Sequence, residues 1–336
     1  MERVSREHED ASGLAAEQLD VTVCVCTRNR APELATLLGS FARMDVPAGL
    51  AWEVLVVDNG STDNTRETAM GFADRLPIRY VVEPQAGVAN ARNRVFDETR
   101  GVYTCWVDDD VEVSPDWLTA YLDAFKRHPE ASLFGGVVEP LLEPPTPAWF
   151  ARLAPLWPLA DVVARRDLGP VEIPLSFEGD RMPFGANMAI RTAAQKAVRF
   201  DNNLGPSPNF RRTGEETEML FHLMNTGIIG WWVPGARVRH HIVSKRQSRQ
   251  YVFNYYYAIG ETMAYLDSVK SVHYMNRDGK TPSLVRAGPA VLNLTAAVQW
   301  LLFVGFTAIG LTRRGLYHLR RQAIARGAAK FKAQAA

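Results

Sequence analysis

The chain has 336 residues, with 38 Lys plus Arg against 37 Asp plus Glu, a formal net charge of +1, 47% hydrophobic residues and 22% charged. That composition excludes a disordered chain, and the balanced charge excludes a whole-protein polyanion binder, so no nucleic-acid partner is expected. Length allows one large domain or two.

Residues 1–20 (MERVSREHEDASGLAAEQLD) are polar and acidic and contain no apolar run of the kind a secretory signal needs. They read as a disordered segment, and the domain behind them is expected to stay in the cytosol. From Val21 onward, short β-branched runs alternate with helical patterns, the signature of a parallel sheet with crossover helices. VTVCVCT is the first strand; Pro32 suits the first turn of the next helix, whose Leu34, Leu37, Leu38 and Phe41 recur at helical spacing. WEVLVVDNG, IRYVVEP and YTCWV supply three further strands, the last ending in Asp108, Asp109 and Asp110, and SLFGGVVEP a fifth. Cys24, Cys26 and Cys105 lie in such runs, which argues for buried thiols rather than disulfides or a zinc site.

After the fifth strand the Pro-rich run EPPTPAWFARLAPLWP breaks the alternation. RMPFGANMAI then reads as a strand, TGEETEMLFHLMNTG as a helix, and GWWVPGARVRHHIV as a strand interrupted by Pro234. These belong to the same globular unit, because neither half has enough apolar surface to close a core alone. Ala287 to Thr312 carries no charge and is long enough to span a bilayer, yet Arg286 precedes it and Arg313, Arg314, Arg320, Arg321, Arg326, Lys330 and Lys332 follow. Basic flanks on both sides favour a re-entrant hairpin, or a helix lying in the interface with a basic tail on anionic headgroups, over a single span. A buried core helix is the alternative.

Three adjacent carboxylates at a strand end repel one another unless a cation relieves them. In extended backbone Asp108 and Asp110 face one side and Asp109 the other, giving two carboxylates for one divalent ion, Mn²⁺ or Mg²⁺, with a diphosphate completing its shell. Asp58 and Asn59 end a second strand near the turn Thr27, Arg28, Asn29 and Arg30. A carboxylate there can accept hydrogen bonds from a nucleobase or ribose, and Arg28 and Arg30 can approach phosphate. An ordinary turn at Asp58 and Gly60 remains the alternative.

Glu215, Glu216 and Glu218 open a helix, where one of them can act as a general base; Thr213 and Glu216 also have capping-box spacing. Of His240 and His241, neighbours on a strand, one can face the cleft and ligate a metal. Arg237, Arg239, Lys245, Arg246 and Arg249 form a basic run without a carboxylate, suited to a diphosphate, a lipid phosphate or a solvated face. Trp231 and Trp232 can form a platform for a sugar or fill the core.

Together VTVCVCTRNR, EVLVVDNGSTDNT, EPQAGVANARNR and CWVDDDVEVSPDWL make the chain resemble glycosyltransferase family 2, of GT-A fold. The resemblance implies an α/β, Rossmann-like, mostly parallel sheet flanked by helices, with a catalytic domain at 21–265 and a helical, membrane-associated extension with a basic tail at 266–336. It implies that Asp108 to Asp110 is the family's DXD element, with Asp110 on the metal, Asp108 on ribose or metal, Asp58 at the base and Arg92 near the donor. Thr27, Arg28, Asn29, Arg30, Asn59 and Asp109 complete the expected donor site. The family's late acidic pair ends in the catalytic base; here GEETEM has Glu216 in that place, one methylene longer than the usual aspartate, with Glu215 as its rival. VRHHI is similar to the late histidine motif, which gives His240 to metal or diphosphate.

The expected activity is inverting transfer from a nucleoside-diphosphate sugar, a UDP-sugar by expectation, to a hydroxyl of a glycan or lipid-linked acceptor. The expected setting is exopolysaccharide or cell-surface glycan synthesis at the cytoplasmic face of the membrane. A sugar-phosphate nucleotidyltransferase and a non-catalytic, membrane-recruited sugar-nucleotide binder are the alternatives.

Overall fold

A computed structural model describes residues 19–269 and 286–335; residues 1–18 of the expected N-terminal segment and 270–285 of the extension lie outside the described residues. The first half is built from β1 (Leu19–Thr27), α1 (Ala31–Phe41), β2 (Trp52–Asp58), α2 (Thr65–Met70), β3 (Ile78–Val82), α3 (Val88–Glu98) and β4 (Gly101–Asp108). β3, β2, β1 and β4 lie side by side and parallel, as their β-branched, doubly buried sequences require. Register carries Thr27 opposite Asp58 and Cys26 opposite Asp108, so the polar residues that end three strands open at one edge.

The second half adds β5 (Val111–Val113), α4 (Trp117–Arg127), β6 (Leu133–Leu142), α5 (Ala148–Leu153), α6 (Leu159–Val162), β7 (Asn187–Arg191), α7 (Thr192–Gln195), α8 (Glu215–Asn225) and β8 (Gly230–Ile242). The sheet order is β3-β2-β1-β4-β7-β6-β8-β5, with β7 antiparallel to both neighbours. Alternate strand residues feed two cores. Val23 and Val25 meet α1 and α4 on one face; Cys24 and Leu55 meet α3 and α8 on the other.

The break foreseen at Pro234 is a register shift between Gly136 and Val137, where β6 pairs with β8. A Cβ on Gly136 would lie 2.3 Å from the Ala236 carbonyl and from Asn187 Nδ2, so only glycine fits. Asn187, fully buried, spans the irregularity: its amide donates to the carbonyls of Val137 and Ala236, and its Oδ1 accepts from Trp117 Nε1 and Tyr121 Oη. That satisfied network fixes the course of β8 toward the cleft.

Among the described residues three further helices follow: α9 (Arg249–Ser268), α10 (Pro289–Ala308) and α11 (Thr312–Ala335). α11 lies on α9 at a close crossing. A Cβ on Gly260 would meet the Ile324 carbonyl at 2.2 Å, and one on Gly327 the Tyr257 carbonyl at 2.0 Å. Leu316, Leu319, Ala323 and Ile324 of α11 share one core with Phe150, Leu159, Val252 and Tyr256. The boundary expected at residue 265 thus falls inside α9, and the end of the chain differs from a free basic tail, since Lys330 and Lys332 pair with Glu261 and Asp267 of α9.

α10 is different: its mean hydropathy is 1.6 and only 17% of its apolar window is buried. Leu294 and Leu301 are 68% and 63% exposed, and Val291, Val298, Trp300 and Val304 are exposed beside them. Among the described residues, one helix is therefore long and apolar enough to cross or lie in a bilayer.

Candidate active site

A cleft of about 1250 Å³ opens along the carboxyl ends of the parallel strands, where ligands of open α/β sheets bind. Thr27, Arg28, Arg30, Asn59, Arg92, all three aspartates of the 108–110 run, Glu215, Glu216 and His240 line it. The expected alternation of the aspartates does not hold. β4 ends at Asp108, and Asp109 and Asp110 form the turn into β5, so the two-residue period stops there. Asp109 turns inward: the Thr27 hydroxyl donates to its Oδ2 at 2.8 Å, and Arg30 reaches both carboxylates, Nη1 to Asp109 at 2.9 Å and Nη2 to Asp110 at 2.9 Å.

Asp110 collects further positive partners. Arg246 Nη1 lies 3.2 Å from its Oδ2 and His240 Nε2 lies 3.3 Å from its Oδ1. Burial alone would raise its pKa, but the hydrogen bond from His240 and the charges of Arg30 and Arg246 outweigh it and hold the carboxyl well below the usual range. Burial pushes Asp109 up to about 7, against the lowering charge of Arg30. The Cys26 thiol beside them is also driven up by burial, to about 12, so it is no nucleophile.

Arg92, projecting from α3, joins the two acidic ends of the cleft. Its Nη2 is 3.3 Å from Asp108 Oδ1; its Nη1 donates to Glu215 Oε1 at 2.9 Å and Glu216 Oε2 at 3.0 Å. The capping box is not formed: Gly214, at φ 85° in the left-handed region, precedes the helix without a side-chain cap, and Glu216 turns to Arg92 instead. The two glutamates differ. Glu215 is 4% exposed and packs behind Gly205, and burial together with the charge of Glu216 pushes its pKa up. Glu216 faces the cleft; burial opposes its charge, but Arg92 outweighs burial and keeps it low. One site thus holds a neutral acid and a carboxylate side by side.

His240 faces the cleft and His241 the other side, where Glu112 and Glu143 bind both ring nitrogens. The basic run does not stand free of carboxylates. Arg237 pairs with Glu139, Arg239 with Glu112 at 3.1 Å, and Arg246 with Asp110, while Arg249 lies over Trp149. Trp232 is fully buried, and Trp231 stacks on His128 at 4.0 Å, so both serve packing.

Asp58 is not open to the main cleft. Its carboxylate accepts from Ser61 and from Tyr80 Oη and lines an adjoining hollow of about 320 Å³ with Arg66 and Glu67. Asn29, at φ 52°, accepts from the Thr62 amide and ties the β1 and β2 loops together. Sequence reasoning did not single out Arg246 as the partner of Asp110, nor Arg166, Asp161, Tyr256 and Arg320, which line the far half of the cleft. Arg246 had one signal, its place in the basic run after β8; the others had none.

The model of glycosyl transferase family 2 matches residues 22–175, and the succinoglycan biosynthesis protein ExoM of Rhizobium meliloti is 29% identical over 73% of this chain and 74% of that protein. Residues 22–175 are a glycosyl transferase family 2 domain. Solved structures agree on the fold of this transferase. The mannosyltransferase PcManGT from Pyrobaculum calidifontis superposes with a TM-score of 0.57 at 19% identity, over 95% of this chain and 88% of that one. S. aureus TarS 1-349 superposes with a TM-score of 0.54 at 14% identity, over 95% and 92%.

Proposed function

We propose that this glycosyltransferase works in polysaccharide biosynthesis, moving a sugar with inversion from a nucleoside-diphosphate sugar, a UDP-sugar, to a hydroxyl of a glycan or lipid-linked acceptor. The observation that carries the reading is the Arg92 fork: one guanidinium spans Asp108, on the donor side, and Glu216, on the acceptor side. The named relatives support it. ExoM is a succinoglycan biosynthesis protein, TarS 1-349 was solved with UDP and with UDP-GlcNAc, and PcManGT with GDP-Man and Mn²⁺.

Donor recognition falls to the edge residues: Asp58 and Asn59 for the base and ribose, Thr27 to Arg30 and Arg92 around the diphosphate, Asp108 and Asp109 beneath it. Among the described residues no three carboxylate, thiol or imidazole groups already converge as a metal cage. The donor set nevertheless fits Mn²⁺ or Mg²⁺. Asp110 Oδ1 and His240 Nε2 are 3.3 Å apart, close to the roughly 3 Å between adjacent oxygen or nitrogen ligands of a small octahedral ion. His240 Nδ1 faces the Val163 carbonyl at 3.4 Å; with the ring proton donated there, Nε2 would be free to bind the ion in place of its hydrogen bond to Asp110. When bound by Asp110, His240 and Asp108, such an ion supplies Lewis-acid stabilisation of the diphosphate leaving group. Arg30 and Arg246, released from Asp110 in part, are positioned to meet the same phosphates.

Glu216 accepts the proton of the acceptor hydroxyl as that oxygen bonds to the anomeric carbon, while the bond from that carbon to the diphosphate oxygen breaks on the opposite face. Arg92 keeps Glu216 ionised, and Glu215 stays neutral behind it. Glu216→Gln is expected to lower kcat about a hundredfold or more, with nucleoside diphosphate affinity unchanged in calorimetry. Full activity in that variant would move the base to Glu215. Product analysis tests the class: a nucleoside diphosphate must appear, whereas release of pyrophosphate would make the protein a nucleotidyltransferase.

The exposed face of α10 is read as the membrane contact, with the enzyme on the cytoplasmic side. Leu294→Asp combined with Leu301→Asp should reduce co-sedimentation with anionic vesicles at least about tenfold without altering the thermal midpoint. Unchanged sedimentation would remove α10 from the membrane.

A further inference from the structure

At about 1250 Å³ the cleft exceeds the roughly 300–1,000 Å³ of a single small-molecule site. Its far wall changes chemistry: Trp157, Tyr256, Ile259 and Met263 line it, with Arg320 of α11 among them. The Arg320 guanidinium lies over the rings of Trp157 and Tyr256, at 5.3 and 5.1 Å. It forms no hydrogen bond or ion pair among the described residues, and its Nε is buried without a partner. The carboxylate facing it, Asp161, accepts from Tyr256 Oη at 3.3 Å, and burial raises its pKa. A buried guanidinium donor left unmatched calls for an acceptor, and phosphate oxygens match the geometry of its fork.

A second observation concerns where this wall leads. Trp157, 45% exposed, is fastened to the turn between α10 and α11: Arg313 Nε donates to its carbonyl at 3.4 Å, and the Tyr317 ring lies 5.8 Å away. Beyond it Leu311, Ile309 and the apolar face of α10 are exposed, flanked by Arg313 and Arg314, which make no ion pair among the described residues. Apolar surface bordered by unpaired cations complements an anionic lipid surface.

We propose that the Arg320 half of the cleft is the acceptor subsite, and that it takes a saccharide joined through phosphate to a membrane lipid. The phosphate sits on Arg320, the sugar hydroxyl reaches toward Glu216, and the lipid chain leaves past Trp157 along α10. This rests on the transferase reading and names its acceptor.

The full chain, as wild type, Arg320→Gln and Arg320→Lys, is titrated calorimetrically with farnesyl phosphate, farnesol and inorganic phosphate. The wild type is expected to bind farnesyl phosphate at least about tenfold more tightly than either part alone; Arg320→Gln should lose about tenfold or more, and Arg320→Lys should recover part of the loss. Equal binding by wild type and Arg320→Gln overturns the proposal, as does farnesol binding as tightly as farnesyl phosphate. Inorganic phosphate binding as tightly as farnesyl phosphate makes this a free-anion site and overturns the lipid assignment. Binding of nucleoside diphosphate with Mn²⁺, measured on the same samples, separates the two levels. Its retention in a variant that has lost farnesyl phosphate supports the subsite, whereas its absence from the wild type counts against the transferase reading.

Discussion

Asp110→Ala is expected to reduce kcat/KM by about a thousandfold or more and to abolish the gain in nucleoside diphosphate affinity that Mn²⁺ provides. The size follows from several kcal/mol of charge stabilisation at the leaving group, each 1.36 kcal/mol being about tenfold in rate. Asp110 is the point where His240, Arg30 and Arg246 converge within 3.3 Å, so no neighbouring carboxylate can substitute for it. Asp109 is committed to Thr27 and Arg30, and Asp108 to Arg92. The fold should survive, because Arg30 keeps Asp109 as a partner. Calorimetric titration with nucleoside diphosphate, with and without Mn²⁺, decides the matter: a variant that keeps the full Mn²⁺ effect refutes the metal assignment.

The largest expected loss of stability follows Arg92→Ala. Arg92 is 7% exposed and lies within 3.3 Å of the carboxyl groups of Asp108, Glu215 and Glu216, so its removal leaves Glu216 without its counter-charge and buried Glu215 without its hydrogen-bond donor, at a cost of about 3–5 kcal/mol. The sign with pH is fixed by Glu216. Its folded-state pKa lies below the ordinary value, so it stabilises the fold above its unfolded pKa and loses that contribution as pH falls through its folded pKa. Without Arg92 that contribution is gone, and the gap between wild type and variant must narrow as pH falls into and below the ordinary glutamate range. Urea denaturation at neutral and acidic pH measures both quantities. A gap that stays constant, or a loss under about 1 kcal/mol, would mean that the fork adds nothing beyond what solvent supplies.

Strand runs such as VTVCVCT and WEVLVVD were legible because parallel strands buried on both faces must be apolar throughout, and the acidic edge was legible because three carboxylates in a row demand a cause. What could not be read was anything set by contacts distant in the chain. Nothing local marks Asn187 as the clasp of an irregular strand pair. The capping-box spacing at Thr213 was misleading, since the electrostatic demand of buried Arg92 claims Glu216. Asp109 was misdirected for a simpler reason: a period of two applies only while the strand lasts, and β4 stops one residue earlier. Arg320 enters from the last helix, whose packing on α9 no spacing rule announces.

Because Gly260 and Gly327 admit no side chain, α9 and α11 are locked at backbone distance, and the same α11 carries Arg320 at one turn and follows α10 at its start. Arg320 is therefore held at a fixed place on the cleft wall rather than on a swinging arm, and any motion of α11 against α9 must first separate two backbones that touch.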